Sequence, residues 1–109
     1  MKWFQVGFDE TAIVLEVTPA EREAWTARIE WRRIIRVCFK TGDYFYTCDE
    51  IYIFSDERPE SFLIPMEAVG AEGLWDEIMR RDLFSAALAI EAASTTDKLF
   101  CQPGADKTI

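Results

Sequence analysis

The chain has 109 residues, half of them hydrophobic, and a formal net charge of −8. This length predicts a single domain, which we place at residues 1–103, followed by a frayed tail at 104–109. The charge argues against nucleic acid and anionic membranes as partners, because both attract clusters of Lys and Arg. A basic protein partner fits the charge, although solubility alone also explains it.

The first two thirds of the chain read as β-strands. Apolar runs at residues 6–8 and 12–17 are separated by a polar turn at 9–11, which predicts a hairpin. A further strand is predicted at residues 24–29, because apolar and polar side chains alternate there. One face of this strand carries Trp25, Ala27 and Ile29.

A local change of period follows this strand. Trp31, Ile34 and Val37 recur at three-residue spacing, and alternation resumes only from Ile35. A β-bulge or a single helical turn would keep all three side chains pointing inward. The sequence TGD at residues 41–43 then predicts a turn.

The stretch DYFYTCDEIYIFSDE, at residues 43–57, combines aromatic residues, acids and a cysteine. We predict that its first half carries the turn end of a strand pair and that a strand follows, entered and left through acids. Neighbouring side chains in a strand point to opposite faces. Ile51 and Ile53 then share one face, and Tyr52 and Phe54 share the other.

The period changes to that of helices after a short strand at residues 61–64 and a proline. A first helix is predicted there from the apolar spacing of Ala71, Leu74, Trp75, Ile78 and Met79. A second helix is predicted from about Leu83 to Ala93, with Asp82 as its N-cap. Because the strands come first and the helices last, we predict an α+β fold in which helix covers a curled antiparallel sheet.

The chain contains no histidine, which removes the commonest general base and the commonest transition-metal ligand. Phosphate-binding glycine motifs and CxxC pairs are absent from the sequence as well, so we expect no cofactor and no metal. Cys38, Cys48 and Cys101 are widely spaced among apolar neighbours. This pattern favours buried, reduced thiols over a disulfide framework.

Asp49 and Glu50 form an adjacent acid pair inside an apolar and aromatic run. A carboxylate with a raised pKa beside Tyr or Trp can act as a general acid or base. Adjacent strand residues point to opposite faces, however, so a single buried site would need a bulge to take both. We therefore favour an exposed strand entrance, and an enzyme that uses carboxylates alone is the function we least expect.

Aromatic residues are the other candidates for binding, because they are enriched at interface hot spots as well as in strands. Most are expected in the core or in cross-strand pairs. Tyr44 and Tyr46 flank the predicted turn, so at least one ring is expected to be exposed. Arg32 and Arg33 are expected to form surface ion pairs. The candidate partner-binding residues are Tyr44, Tyr46, Asp49, Glu50 and Trp25.

The segments IEWRRIIRVCFKTGD, DEIYIFSDE and SFLIPMEAVGAEGLWDEI, followed by an Ala-rich helix, resemble a group of small, mostly uncharacterised bacterial proteins with a pleckstrin-homology-like (PH-like) fold. The resemblance covers roughly residues 5–101. It implies a half-barrel of about six to seven strands, followed by a C-terminal helix or two short helices. Lipid-binding members of the wider superfold carry basic residues at the first turn, where this chain has Asp9 and Glu10. The matching positions are Trp31, Ile34, Val37, Thr41, Asp49, Glu50, Ile64, Pro65 and Gly70.

We expect a non-enzymatic module that binds another protein. One concrete version is an immunity-type protein whose acidic face neutralises a basic partner. The alternative is a protein that binds a small-molecule or lipid-like ligand on the concave face of the sheet. Homodimerisation through the Ala-rich helix or a strand edge is a further hypothesis. The sequence shows no signal peptide and no apolar stretch of transmembrane length, so we expect a cytoplasmic protein.

Overall fold

The computed structural model describes residues 1–43 and 47–103 of the chain. Within these ranges it shows an α+β fold with two antiparallel sheets and two α-helices. The two sheets are not closed into a barrel. Sheet A has the strand order β1-β2-β3, and these strands are Phe4–Phe8, Ala12–Val17 and Trp25–Glu30.

Sheet B has the strand order β6-β5-β4-β7. A single turn of 3-10 helix, Trp31–Arg33, connects β3 to β4 and so joins the two sheets. This turn confirms the local change of period that the sequence predicts, because it keeps Trp31, Ile34 and Val37 against the core. The four strands are β4 Ile34–Lys40, β5 Glu50–Ser55, β6 Phe62–Pro65 and β7 Leu99–Gln102.

Helix α1 is Ala71–Arg80, and it buries the apolar face that the sequence predicts. Helix α2 is Ala86–Ala93 and begins later than predicted. The predicted N-cap at Asp82 is wrong: the Ser85 side chain caps α2 by accepting a hydrogen bond from the Leu88 N–H at 3.1 Å. Asp82 instead takes a left-handed φ of 62° after α1. In the described ranges, no helix is long and apolar enough to cross a membrane.

The chain returns to sheet B after the helices, so helices do not come last as predicted. β7 pairs antiparallel with β4, and this pairing sets Cys38 opposite Cys101 in a disulfide. The expectation of reduced thiols is therefore wrong for these two cysteines, whereas Cys48 is free. The spacing of cysteines in the sequence does not indicate which strands become neighbours in the sheet. The Cys38–Cys101 pairing was therefore not predicted.

The core lies between the two sheets and the helices and is built from alternate strand positions. On β5, Ile51 and Ile53 are buried, while Tyr52 and Phe54 are half-buried on the other face, which confirms the predicted alternation. On β3, Ile29 is buried and Ala27 packs against the core. Trp25, on the same face of β3, is exposed, so the core ends before it.

Candidate functional site

An open cleft lies at the end of sheet A, where β1 and β3 begin and β2 ends. Its volume is about 650 Å³, a size typical of ligand-binding pockets. We call it the tryptophan cleft. It is lined by Trp3, Phe4, Val17, Trp25 and the loop residues 19–23.

Strand pairing brings the two tryptophans of the cleft together. Val17 at the end of β2 pairs with Phe4 on one side and with Trp25 on the other. The Thr18 N–H donates to the Trp3 carbonyl oxygen at 2.7 Å, which holds the residues before β1 beside the end of β2. Pro19 lacks an N–H and so disfavours continued pairing. The chain therefore leaves the sheet there, and residues 19–23 form one wall of the cleft.

The buried Phe4 ring lies next to both tryptophan rings, which remain partly exposed to solvent. Trp3 and Trp25 are each 43% exposed, whereas Phe4 is 5% exposed. The Phe4 ring centroid lies 6.0 Å from that of Trp3 and 6.2 Å from that of Trp25, the second pair edge to face. Contact with a buried ring restrains both indoles, so an incoming side chain meets an apolar surface that is already ordered.

The wall opposite the strands is charged. Glu21, Arg22 and Glu23 line the cleft and are exposed. Two carboxylates and one guanidinium make this wall net negative, and the whole chain carries −8. An approaching Lys or Arg would be attracted to the two carboxylates and could also lie over an indole face.

Asp49 and Glu50 lie at the start of β5 in sheet B, away from the tryptophan cleft of sheet A. Asp49 Oδ1 accepts the Gly42 N–H at 2.9 Å and so ties the ends of the β4–β5 connection together. Glu50 Oε1 accepts the Tyr52 O–H at 2.7 Å and lies 3.6 Å from Lys40 Nζ. Both carboxylates thus have structural partners, which favours a strand entrance over a catalytic pair, although the two acids are half-buried and not exposed as expected.

The groups next to Glu50 are held in their protonated forms. Burial, followed by the hydrogen bond to Glu50, raises the pKa of Tyr52 to about 12. Burial also raises the pKa of the Cys48 thiol, with a contribution from Glu67. A thiol with a raised pKa contains little thiolate at neutral pH, and the thiolate is the nucleophile. This corner of sheet B is therefore poorly suited to nucleophilic chemistry.

The remaining residues singled out from the sequence are two tyrosines, two arginines and one tryptophan. Tyr44 and Tyr46 lie outside the described residues. The predicted surface ion pairs are confirmed: Arg32 Nε lies 3.0 Å from Glu30 Oε2, and Arg33 Nη1 lies 3.3 Å from Asp56 Oδ1. Of the candidate residues that the structure describes, only Trp25 lies at the tryptophan cleft.

Sequence reasoning missed Trp3 and the loop at residues 19–23. The predicted first strand covers residues 6–8 and leaves Trp3 outside it, whereas β1 begins at Phe4. The alternation of Phe4, Val6 and Phe8 is the signal that could have extended the strand. Extending it would have placed Trp3 immediately before the first strand of the sheet that carries Trp25.

Among residues 1–43 and 47–103, no group of three or more His, Cys, Asp or Glu side chains is placed so that it could hold a metal ion. Comparisons with protein-family models, with curated proteins and with solved structures found no match.

Proposed function

We propose that this protein is a non-enzymatic interaction module that binds another protein through the tryptophan cleft. One observation carries the proposal: Trp3 and Trp25 are each 43% exposed across the same cleft. Tryptophan is among the residues most enriched at binding hot spots, where it fills or forms a desolvated pocket. Two ordered indoles in one open cleft provide such a site without further rearrangement.

The chemistry of the cleft defines the partner that it fits. Apolar walls favour an aliphatic or aromatic anchor side chain, and Glu21 and Glu23 favour Lys or Arg beside that anchor. The net charge of −8 adds long-range attraction for a basic protein. A concrete version is an immunity-type protein that neutralises a basic toxin or nuclease.

We further propose that the two sheets form a PH-like half-barrel. The 3-10 turn Trp31–Arg33 supports this architecture, because it redirects the chain from sheet A into sheet B at a single corner. The shared core between the sheets and helices supports it as well.

A small-molecule or lipid-like ligand is the second candidate, and the cleft volume of about 650 Å³ favours it. The two candidates differ in the size and charge of what binds. A protein partner would extend beyond the cleft and its affinity would fall with salt, whereas an apolar small molecule would bind with little salt dependence.

Binding to peptides selected from a random display library tests the proposal. Trp25→Ala is expected to weaken binding of the selected peptides about thirtyfold, the effect of a hot-spot residue worth about 2 kcal/mol. Leu99→Ala is the matched control, because Leu99 is a similarly exposed apolar residue on sheet B. Equal binding by the Trp25→Ala variant would contradict the proposal. Tryptophan fluorescence against a metabolite and fatty-acid library tests the small-molecule alternative.

A further inference from the structure

The outer edge of β3 has unpaired backbone groups beside the tryptophan cleft. The Trp31 N–H donates to the Thr11 carbonyl oxygen at 3.0 Å, one step beyond the Ala12–Glu30 pair. That bond makes Ala12–Glu30 a non-hydrogen-bonded pair of the antiparallel ladder. Hydrogen-bonded and non-hydrogen-bonded pairs alternate along the ladder, so Arg28 and Thr26, two and four residues before Glu30, are also in non-hydrogen-bonded pairs. Their backbone N–H and C=O groups therefore point away from β2. We call this row the β3 edge.

Within residues 1–43 and 47–103, no backbone group pairs with the β3 edge, since β2 is the only strand bonded to β3. Thr26 and Arg28 are also exposed. Exposure and the lack of a backbone partner are the two properties that an edge needs in order to accept a further strand.

The opposite edge of sheet A, formed by β1, has backbone hydrogen-bond partners within the chain. The Val6 N–H donates to the Val69 carbonyl oxygen at 2.8 Å, and the Val69 N–H donates to the Phe4 carbonyl oxygen at 2.9 Å. The chain can approach β1 closely there because Gly70 takes a φ of 90° and has no side chain: a β-carbon at this position would collide with the Val6 carbonyl oxygen. The fold thus covers the β1 edge with its own backbone and leaves the β3 edge open.

The edges of sheet B are shorter than the β3 edge. β6 and β7 have four residues each, against six in β3. β6 ends in Pro65, which has no N–H to offer to a further strand. The β3 edge is therefore the longest strand edge left without a backbone partner in the described ranges.

We propose that the β3 edge takes an extended peptide segment of a protein partner as a fourth strand of sheet A. This inference rests on the proposed function and specifies how the partner binds. A strand added there would run about 4.8 Å from β3. Its residue opposite Trp25 shares the face of Trp25 and would enter the tryptophan cleft as the anchor. Backbone bonds to Thr26 and Arg28 supply affinity, and the cleft supplies specificity.

The charges near the edge define the occupant. Lys or Arg beside the anchor would meet Glu21 and Glu23 in the cleft wall. On the opposite face an acidic residue would pair with the exposed Arg28 side chain, which also discourages unspecific strand pairing. A second copy of this chain is disfavoured, because two molecules of charge −8 repel each other.

Amide hydrogen exchange by NMR on the whole protein, with a display-selected peptide as the probe, gives a direct test. We expect the peptide to slow exchange of the Thr26 and Arg28 amides at least tenfold. The Ala27 and Ile29 amides, which already bond to β2, should be slow with or without peptide. Unchanged exchange at Thr26 and Arg28 in a bound complex would overturn strand addition. This readout needs no variant.

A proline substitution gives a second, independent readout. Thr26→Pro removes an N–H that points away from β2, so it deletes no bond of the existing ladder. It is expected to weaken the peptide about tenfold, the effect of one lost hydrogen bond together with a blocked edge. Thr26→Val keeps the N–H and a β-branched side chain, and it should bind like the wild type. Circular dichroism and the thermal midpoint establish that both variants fold.

The outcomes separate this inference from the proposed function. Binding that is lost in Trp25→Ala but unchanged in Thr26→Pro overturns strand addition and leaves the tryptophan cleft as the site. Binding that needs Thr26 but not Trp25 supports the edge and overturns the cleft anchor. A selection that yields no binding peptide contradicts both. Thr26 and Arg28 amides that are protected in the free protein, with a dimer that Thr26→Pro dissolves, would make a second copy the occupant.

Discussion

The Tyr52 O–H donates to Glu50 Oε1 at 2.7 Å on the face of sheet B that points away from the core. The two residues lie two positions apart on β5, so the strand itself brings their side chains together. Glu50 is in turn 3.6 Å from Lys40 Nζ on the neighbouring strand β4. This chain of contacts holds the outer face of two central strands.

Tyrosine titration should detect the Tyr52–Glu50 bond. The pKa of Tyr52 is raised from 10.0 to about 12, first by burial and then by Glu50, so the folded state holds this proton more tightly than the unfolded state does. The resulting stabilisation is complete below pH 10 and is lost as the pH rises towards about 12. Ultraviolet titration of the wild type should show a late tyrosine component that the Tyr52→Phe variant lacks. Three components near the ordinary value would contradict the assignment.

Glu77 should give the opposite pH dependence. Its pKa is lowered from 4.5 to about 2, chiefly by the hydrogen bond from Arg80, with a further one from Arg81. The stabilisation is therefore present above pH 4.5 and is lost as the pH falls towards about 2. Urea unfolding should show Glu77→Gln less stable than wild type at neutral pH, with the difference vanishing in acid. Glu72→Gln, which removes an exposed acid from the same helix, is the matched control for the loss of one carboxylate.

The Cys38–Cys101 disulfide should make a large contribution to stability. It closes a loop with a sequence separation of 63 residues. In the chain-entropy description, removing such a cross-link lowers the free energy of unfolding by about 4 kcal/mol. Urea unfolding of Cys38→Ser with Cys101→Ser should show this loss, whereas Cys48→Ser should change stability little. Three reactive thiols in unfolded protein that was never exposed to reductant would rule out the disulfide.

Two glycines one turn apart should respond to alanine in opposite directions. Gly70→Ala is expected to destabilise by at least about 1 kcal/mol, because a φ of 90° strains an L-residue and the new methyl meets the Val6 carbonyl. Gly73→Ala places its methyl in open space within α1 and should stabilise by about 0.5–1 kcal/mol. Thermal or urea unfolding measures both. Similar effects at the two positions would mean that the close approach at Gly70 is not formed.

Periodicity accounts for the elements that the sequence predicts well. Alternation over residues 24–29 predicts β3, and the spacing of Ala71, Leu74 and Ile78 predicts α1, because each pattern spans enough residues to define a face. β7 has only four residues, Leu99–Gln102, which is too short for a period to be recognised. Its pairing with β4, and with it the disulfide, depends on contacts far apart in the chain.

The candidate site was predictable only in part. Trp25 falls among the sequence-based candidates because aromatic residues are enriched at interface hot spots, and its exposure became known only from the structure. Trp3 does not, because its place beside Trp25 depends on the register of β1, β2 and β3. The same limit applies to Asp49 and Glu50, whose partners Gly42, Lys40 and Tyr52 become visible only when β4 and β5 are paired.

The disulfide closes part of the chain into a covalent ring and leaves the rest of the chain outside it. Everything between residues 38 and 101, which includes both helices and most of sheet B, lies inside a closed ring of chain. Sheet A, with the tryptophan cleft and the β3 edge, lies outside that ring. A protease cut at the exposed residues 56–60 would thus leave its two fragments joined, whereas a cut at residues 19–23 would sever β1 and β2 from the remainder. The surface that we assign to binding therefore depends on non-covalent contacts, such as the backbone bonds between β1 and Val69, for its attachment to the ring.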